Sequence, residues 1–223
     1  MASQNEKLPV DQAAKEIVGR FEAWLSGRPV DPRSAVQSMI DDLLGAAGTD
    51  RQVQAACTQV EYGFGCALPC AEAVARLAGS DRSLIEVCAG TGFLAQIVNQ
   101  AGGSVTATNI ANLASYRNRH ITIRVDEAEA VAAVRAYPGH DVLMAWPPYS
   151  DAMASHVLHS LRPGLTLYFI GDALLCGENE SGVPKVATPA FFHELAAAAH
   201  AKESINMPGW PGYRNFLHVL EIK

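Results

Sequence analysis

The hydrophobic rhythm of the chain changes near residue 80. Ahead of it, apolar residues recur at helical spacing. Ala14, Ile17, Val18, Phe21, Trp24 and Leu25 follow Asp11, a residue suited to cap a helix, and Ser26-Gly27 stops the run. Asp31-Pro32 sets a cap before a proline at the first helical position, and Val36, Met39, Ile40, Leu43 and Leu44 then form a second stripe ended by glycines 45 and 48. A third helix is predicted from Asp50 with Val53, Cys57 and Val60, and a shorter one after Pro69 with Val74 and Leu77 facing inward. Residues 1–80 are thus expected to form a helical N-terminal cap region whose stripes are packing surfaces.

From residue 84, short apolar and β-branched runs alternate with helical stretches. Strands are expected at Leu84–Cys88, Ser104–Thr108, Ile121–Val125, Asp141–Ala145 and Thr166–Gly171. Helices are expected at Gly92–Ala101, Glu127–Tyr137 and Asp151–Leu161, and from Thr188-Pro189 to about His200. Such alternation implies a mostly parallel sheet covered on both faces. Two further strands are expected near Glu203–Met207 and Asn215–Ile222. Only Pro208-Gly-Trp-Pro-Gly212 lies between them, so they should pair as an antiparallel hairpin. Gly171–Pro189 carries neither pattern, as lids and binding loops often do.

Composition narrows the function classes. The 223 residues are 49% apolar and 18% charged, with 17 Lys+Arg against 23 Asp+Glu, a net charge of −6. The densest basic stretch is Arg117, Arg119, His120 and Arg124, which argues against a phosphate-tracking nucleic-acid surface. No apolar run reaches the roughly 18 residues of a membrane span, and the opening residues are too polar for a signal peptide, so a cytoplasmic protein is expected. The five cysteines are odd in number and scattered, and read as reduced thiols. Cys66 and Cys70 have a spacing found in iron–sulfur sites, but the third cysteine is absent, since Ala73 stands there. His156 and His159 are spaced to share a metal, yet no third ligand is evident nearby, and no metal site is expected.

The densest chemistry follows the first strand. Ile85-Glu86-Val87-Cys88-Ala89-Gly90-Thr91-Gly92 runs from a strand directly into a helix, where glycines let the backbone approach a ligand and free N–H groups favour an electron-rich partner. A P-loop would need Lys-Ser or Lys-Thr after the glycines, and Phe93-Leu94 stands there. Gly90, Gly92 and Ala95 match a dinucleotide fingerprint formally, but the acidic residue expected about 20 positions on is replaced by Asn109. The acid-led, glycine-spaced run more closely resembles the first motif of class I S-adenosylmethionine (SAM)-dependent methyltransferases, a likeness extending over residues 84–222. The resemblance implies a Rossmann-like methyltransferase α/β sandwich over residues 81–223, with a mostly parallel seven-stranded sheet and a C-terminal antiparallel hairpin. It implies SAM as cofactor. Ala89, Gly90 and Gly92 would lie along its methionine part, Glu86 would help orient its ammonium, Asn109 would take the ribose hydroxyls, and Asp126, after the third strand, would meet the adenine amine. An Asn at 109 departs from the family's carboxylate and can accept only part of what an acid would.

Asp141-Val-Leu-Met-Ala-Trp146-Pro147-Pro148-Tyr149 ends the fourth strand with two prolines, at the sheet edge where open α/β sheets bind ligands. The segment resembles the fourth motif of amino-methyltransferases, (Asp/Asn/Ser)-Pro-Pro-(Tyr/Phe), in which the polar side chain and a proline-region carbonyl accept from the target amine and the aromatic stacks on it. Here Trp146 replaces the polar residue, and an indole N–H only donates. The expected acceptor site is therefore an exposed aromatic cleft of Trp146, Pro147 and Tyr149, with Asp172 after the fifth strand as base or anchor. Together with Tyr62–Pro69, Leu167–Asp172 and Pro208-Gly-Trp210, this turn is similar to a narrower set of methyltransferase-like proteins, in which Tyr62–Pro69 would cover the cofactor. The expected activity is methyl transfer to a small molecule or a protein side chain. The alternatives are a methyltransferase-fold binding or interaction protein without transfer chemistry, or a NAD(P)-dependent oxidoreductase.

Overall fold

The computed structural model of the chain describes residues 69–110, 123–171, 186–207 and 215–223. Their elements in chain order are α1 (Ala71–Ala78), β1 (Leu84–Val87), α2 (Phe93–Gln100), β2 (Val105–Asn109), β3 (Val125–Glu127), α3 (Ala130–Ala136), β4 (Asp141–Ala145), α4 (Met153–Ser160), β5 (Thr166–Gly171), α5 (Pro189–Ala198), β6 (Ala199–Met207) and β7 (Asn215–Ile222). The strands form one seven-stranded sheet of order β3-β2-β1-β4-β5-β7-β6. The first five pair in parallel, and β7 pairs antiparallel with both β5 and β6. This is the Rossmann-like methyltransferase sandwich with its terminal hairpin, as expected.

The central strands are apolar on both faces because both faces are covered. Leu84, Ala107, Leu143, Tyr168, Ile170 and Leu217 pack under α1 and α2. Ile85, Val87, Val142, Met144, Leu167 and Phe169 pack under α3, α4 and α5. The amino edge of the sheet is held by a buried carboxylate: Asp141 accepts from Thr166 N at 2.8 Å and from the Arg82 guanidinium at 3.3 Å. Such a group is stable in the interior only because its lone pairs are used. The Thr188-Pro189 start of α5 behaves as its sequence demands, with the threonine side chain accepting from Phe191 N at 3.2 Å.

Several boundaries move. The third strand lies at Val125–Glu127 rather than Ile121–Val125 (residues 121 and 122 fall outside the described ones), so Asp126 sits inside β3 and not after it. The following helix starts at Ala130 because Glu129 caps it, accepting from Val131 N and Ala132 N. Helix α4 begins at Met153, two residues later than expected, after Asp151 accepts from Met153 N. The last helix ends at Ala198 and β6 begins at Ala199, four residues earlier than expected. Helical spacing in the alanine run there yields to antiparallel pairing with β7. The helices expected before residue 69 lie outside the described residues, and no described helix is long and apolar enough to cross a membrane.

Candidate active site

Topology alone locates a crevice. From β1 the chain winds outward through β2 and β3, whereas β4 starts on the other side of β1 and winds away through β5. Ligands bind such sheets at the carboxyl ends of the strands flanking this switch point. The residues just past those two ends are Cys88 and Trp146, and both are non-glycine residues in the left-handed region, at φ +55° and +49°. Backbone strain of this kind concentrates at functional sites. The two large apolar side chains most exposed among the described residues, Ile110 and Tyr149, also lie at this edge, past β2 and β4.

The glycine loop is built as its residues require. Gly90 and Gly92 have φ of +56° and +78°, and Gly92 opens α2 with its carbonyl accepting from Gln96 N at 2.9 Å. A Cβ on Gly92 would stand 2.8 Å from Cγ2 of Ile123 and 2.9 Å from Cγ2 of Val125, so this glycine also sets how closely α2 approaches β3. Ala89 is tied across to β2, its N–H donating to Thr108 O at 2.9 Å.

Glu86, third in β1, is 3% exposed. Its carboxylate accepts from Ala95 N in the first turn of α2 at 3.1 Å, where Gly92 offers no capping side chain. Burial pushes its carboxyl up to about 8, and that single N–H only partly offsets the effect. Burial also raises the neighbouring Cys88 thiol to about 11, reinforced by the charges of Glu129, Asp151 and Glu86. Neutral Glu86 and protonated Cys88 therefore dominate at neutral pH.

Asn109 ends β2 in register with Glu127, which ends β3 and is exposed. Glu127 is thus a carboxylate at the carboxyl edge that the sequence reading passed over. Asp126 forms an ion pair with Arg124, although no N–H is aimed at its Oδ1. With Arg124 89% exposed, that contact contributes little.

The Trp146–Tyr149 turn departs from expectation in one respect. Trp146 is half-buried and packs against both core layers rather than standing exposed. Its backbone N–H donates to Ile170 O at 2.8 Å, and its indole N–H donates to Oδ1 of buried Asn215 at 2.7 Å. Pro147 is buried and its carbonyl accepts from Ala187 N at 2.9 Å, while Tyr149 is 60% exposed at the rim. The sequence reading missed Asn215. The available signal was a polar amide opening a strand that continues as Phe216-Leu217. Asp172, Trp210 and residues 62–68 lie outside the described residues. His159 approaches Glu194 at 3.4 Å on the helical face, and no group of three metal-ligating side chains forms among the described residues.

No protein-family model matches the chain, and no curated protein matches it in sequence. Solved structures similar to it include the O-methyltransferase TomG from Streptomyces achromogenes in complex with SAM, at 19% identity over 85% of this chain and 97% of that one, with a TM-score of 0.47. TrmN from Thermus thermophilus is similar at 18% identity and a TM-score of 0.46, over 68% of this chain and 48% of that one, so the match spans about half of TrmN. The N-methyltransferase NodS from Bradyrhizobium japonicum is similar at 14% identity over 67% and 92% of the two chains, with a TM-score of 0.42. At such identities and scores they decide neither cofactor nor acceptor, and the fold is read from the strand order.

Proposed function

We propose that this chain is a cytosolic SAM-dependent methyltransferase whose acceptor, a small molecule or a protein side chain, is seated at the Trp146–Tyr149 turn. The observation that carries this reading is the meeting, across the β1/β4 switch point, of a left-handed glycine loop and a proline-locked aromatic turn. Bound SAM supplies an electrophilic methyl on a sulfonium sulfur. The backbone of Ala89, Gly90 and Gly92 would hold its amino-acid part, with Gly90 keeping a side chain out of its way and Gly92 letting α2 start close against β3. Asn109 at the end of β2 would meet the ribose, with Asp126 in β3 for the adenine, and Glu86 would lie behind the loop. Ile110, 66% exposed beside Asn109, adds apolar surface on that side. On the other side the Tyr149 ring and hydroxyl would orient the acceptor, and Asp172, one residue past β5, would hold or remove its proton. Catalysis on this plan is positioning of the acceptor lone pair for direct displacement.

Trp146 bears on the acceptor class. Its N–H is committed to Asn215, and the position before the prolines has no side-chain acceptor to offer a planar amine. The same feature favours a second reading, a methyltransferase-fold protein that binds its ligand without transfer. Titration calorimetry with SAM and S-adenosylhomocysteine (SAH), followed by a metabolite and peptide panel scored by SAH release, separates them. Micromolar SAM binding with release supports the enzyme, binding without release across the panel supports the second reading, and binding of neither ligand rejects the enzyme. Tight NADH binding instead would revive the oxidoreductase. Gly90→Leu should abolish SAM binding in either case, since a side chain would stand in its way.

A further inference from the structure

Three hydrogen bonds from three different parts of the chain converge on residues 146 and 147. Ile170 O of β5 takes the Trp146 backbone N–H, Asn215 Oδ1 of β7 takes the indole N–H, and Ala187 N before α5 donates to Pro147 O. A bulky residue at φ +49° is strained and persists only where its surroundings over-determine it. Asn215 is 0% exposed, opposite Met207 in the hairpin register and followed on the same face by Leu217 and Val219. An amide costs free energy in such a place unless its polar atoms are used. Leucine would meet the packing need but could not accept the indole N–H, as the amide oxygen does.

We propose that Asn215 is the positioning residue of the acceptor turn: by holding the Trp146 indole across the end of β5, it fixes where Pro147, Pro148 and Tyr149 stand at the mouth of the crevice. That these residues seat an acceptor rests on the methyltransferase reading; the positioning itself does not. The consequence is that β7, remote in sequence, tunes acceptor geometry from the far side of β5.

Fluorine NMR on protein labelled with 3-fluorotyrosine tests this, with the Tyr149 resonance assigned by Tyr149→Phe and SAH as the cofactor-side probe. Asn215→Leu keeps most of the volume and removes the acceptor. Trp146→Phe keeps a ring and removes the donor. Each should shift or broaden the Tyr149 resonance, while the SAH dissociation constant moves less than about threefold, under 1 kcal/mol. The double variant should change the resonance no further than either single one. Asn215→Asp, which retains an oxygen toward the indole, should return the resonance toward its native position. With an acceptor identified, its KM should rise while that of SAM stays constant. An unmoved Tyr149 resonance in folded Trp146→Phe, or fully additive effects, would overturn the proposal. So would SAH binding lost in parallel with the Tyr149 shift, which would mark Asn215 as generally structural. If Asn215→Leu does not fold, Trp146→Phe and Asn215→Asp decide. Failure of the unaltered protein to bind SAH rejects the methyltransferase reading and leaves the Tyr149 signal to judge the positioning.

Discussion

The Trp146 indole N–H reaches the Asn215 amide oxygen at 2.7 Å although β5 lies between β4, which ends just before Trp146, and β7, which opens with Asn215. Replacing Trp146 by Asn, the change that would recreate an amine-binding motif, removes a ring packed against both core layers and takes the indole donor from buried Asn215. The ring loss costs about 3 kcal/mol or more, and easier left-handed backbone at Asn returns about 1 kcal/mol. Urea unfolding of Trp146→Asn should show a net destabilisation of about 2 kcal/mol or more, without gain of activity on planar amines. Native-like stability would mean the indole is an accessory of the fold.

Gly92 combines a left-handed backbone with close packing. Gly92→Ala should destabilise the domain by about 1–3 kcal/mol, because strain at φ +78° adds to a Cβ set 2.8 Å from Ile123. SAH affinity should fall with it, since moving the start of α2 moves the loop. A variant with an unchanged denaturation midpoint would show that α2 can shift freely from β3.

Glu86 predicts a pH dependence of stability. Its carboxyl is raised in the folded protein from the usual 4.5 to about 8, so the folded state binds the proton more tightly than the unfolded chain. Its stabilising contribution is complete below the ordinary carboxyl range and is lost as pH climbs to about 8. Glu86→Gln keeps an oxygen for Ala95 N and cannot ionise. Denaturation midpoints across that window should fall less steeply for the variant than for the native chain. Parallel curves would show that Glu86 does not take up a proton on folding.

Tyr149 stands 60% exposed and should matter to turnover alone. Tyr149→Ala should leave stability within about 0.5 kcal/mol and SAM binding nearly intact, while cutting SAH release by an order of magnitude. Loss of SAM binding with normal turnover per bound cofactor would put the tyrosine on the cofactor side of the crevice.

The route from sequence to site was legible where the signal is local. The Ile85–Gly92 run had to pass from strand to helix through glycine, and Trp146-Pro147-Pro148 had to end a strand. Placing both at one crevice required only that parallel strands share a carboxyl edge. Asp126 shows where this fails: no local pattern distinguishes the end of a three-residue strand from the residue after it, and pairing with Thr108 decided that it lies inside. Asn215 is harder still. In sequence it is one more polar residue after a Pro/Gly-rich turn, and its meaning lies in an indole 69 residues away.

The sequence by itself therefore determined the alternation of elements, the hairpin and the two turns that flank the crevice, because period, glycine and proline act on the backbone within a few residues. Only the tertiary structure decided the strand order that brings β1 beside β4 and the extension of β6 back to Ala199. It also decided the burial of Glu86 against Ala95 N and the amide that holds Trp146. These depend on which remote groups exclude water from one another. That exclusion, and the hydrogen bonds it makes obligatory, exist only once the chain has folded.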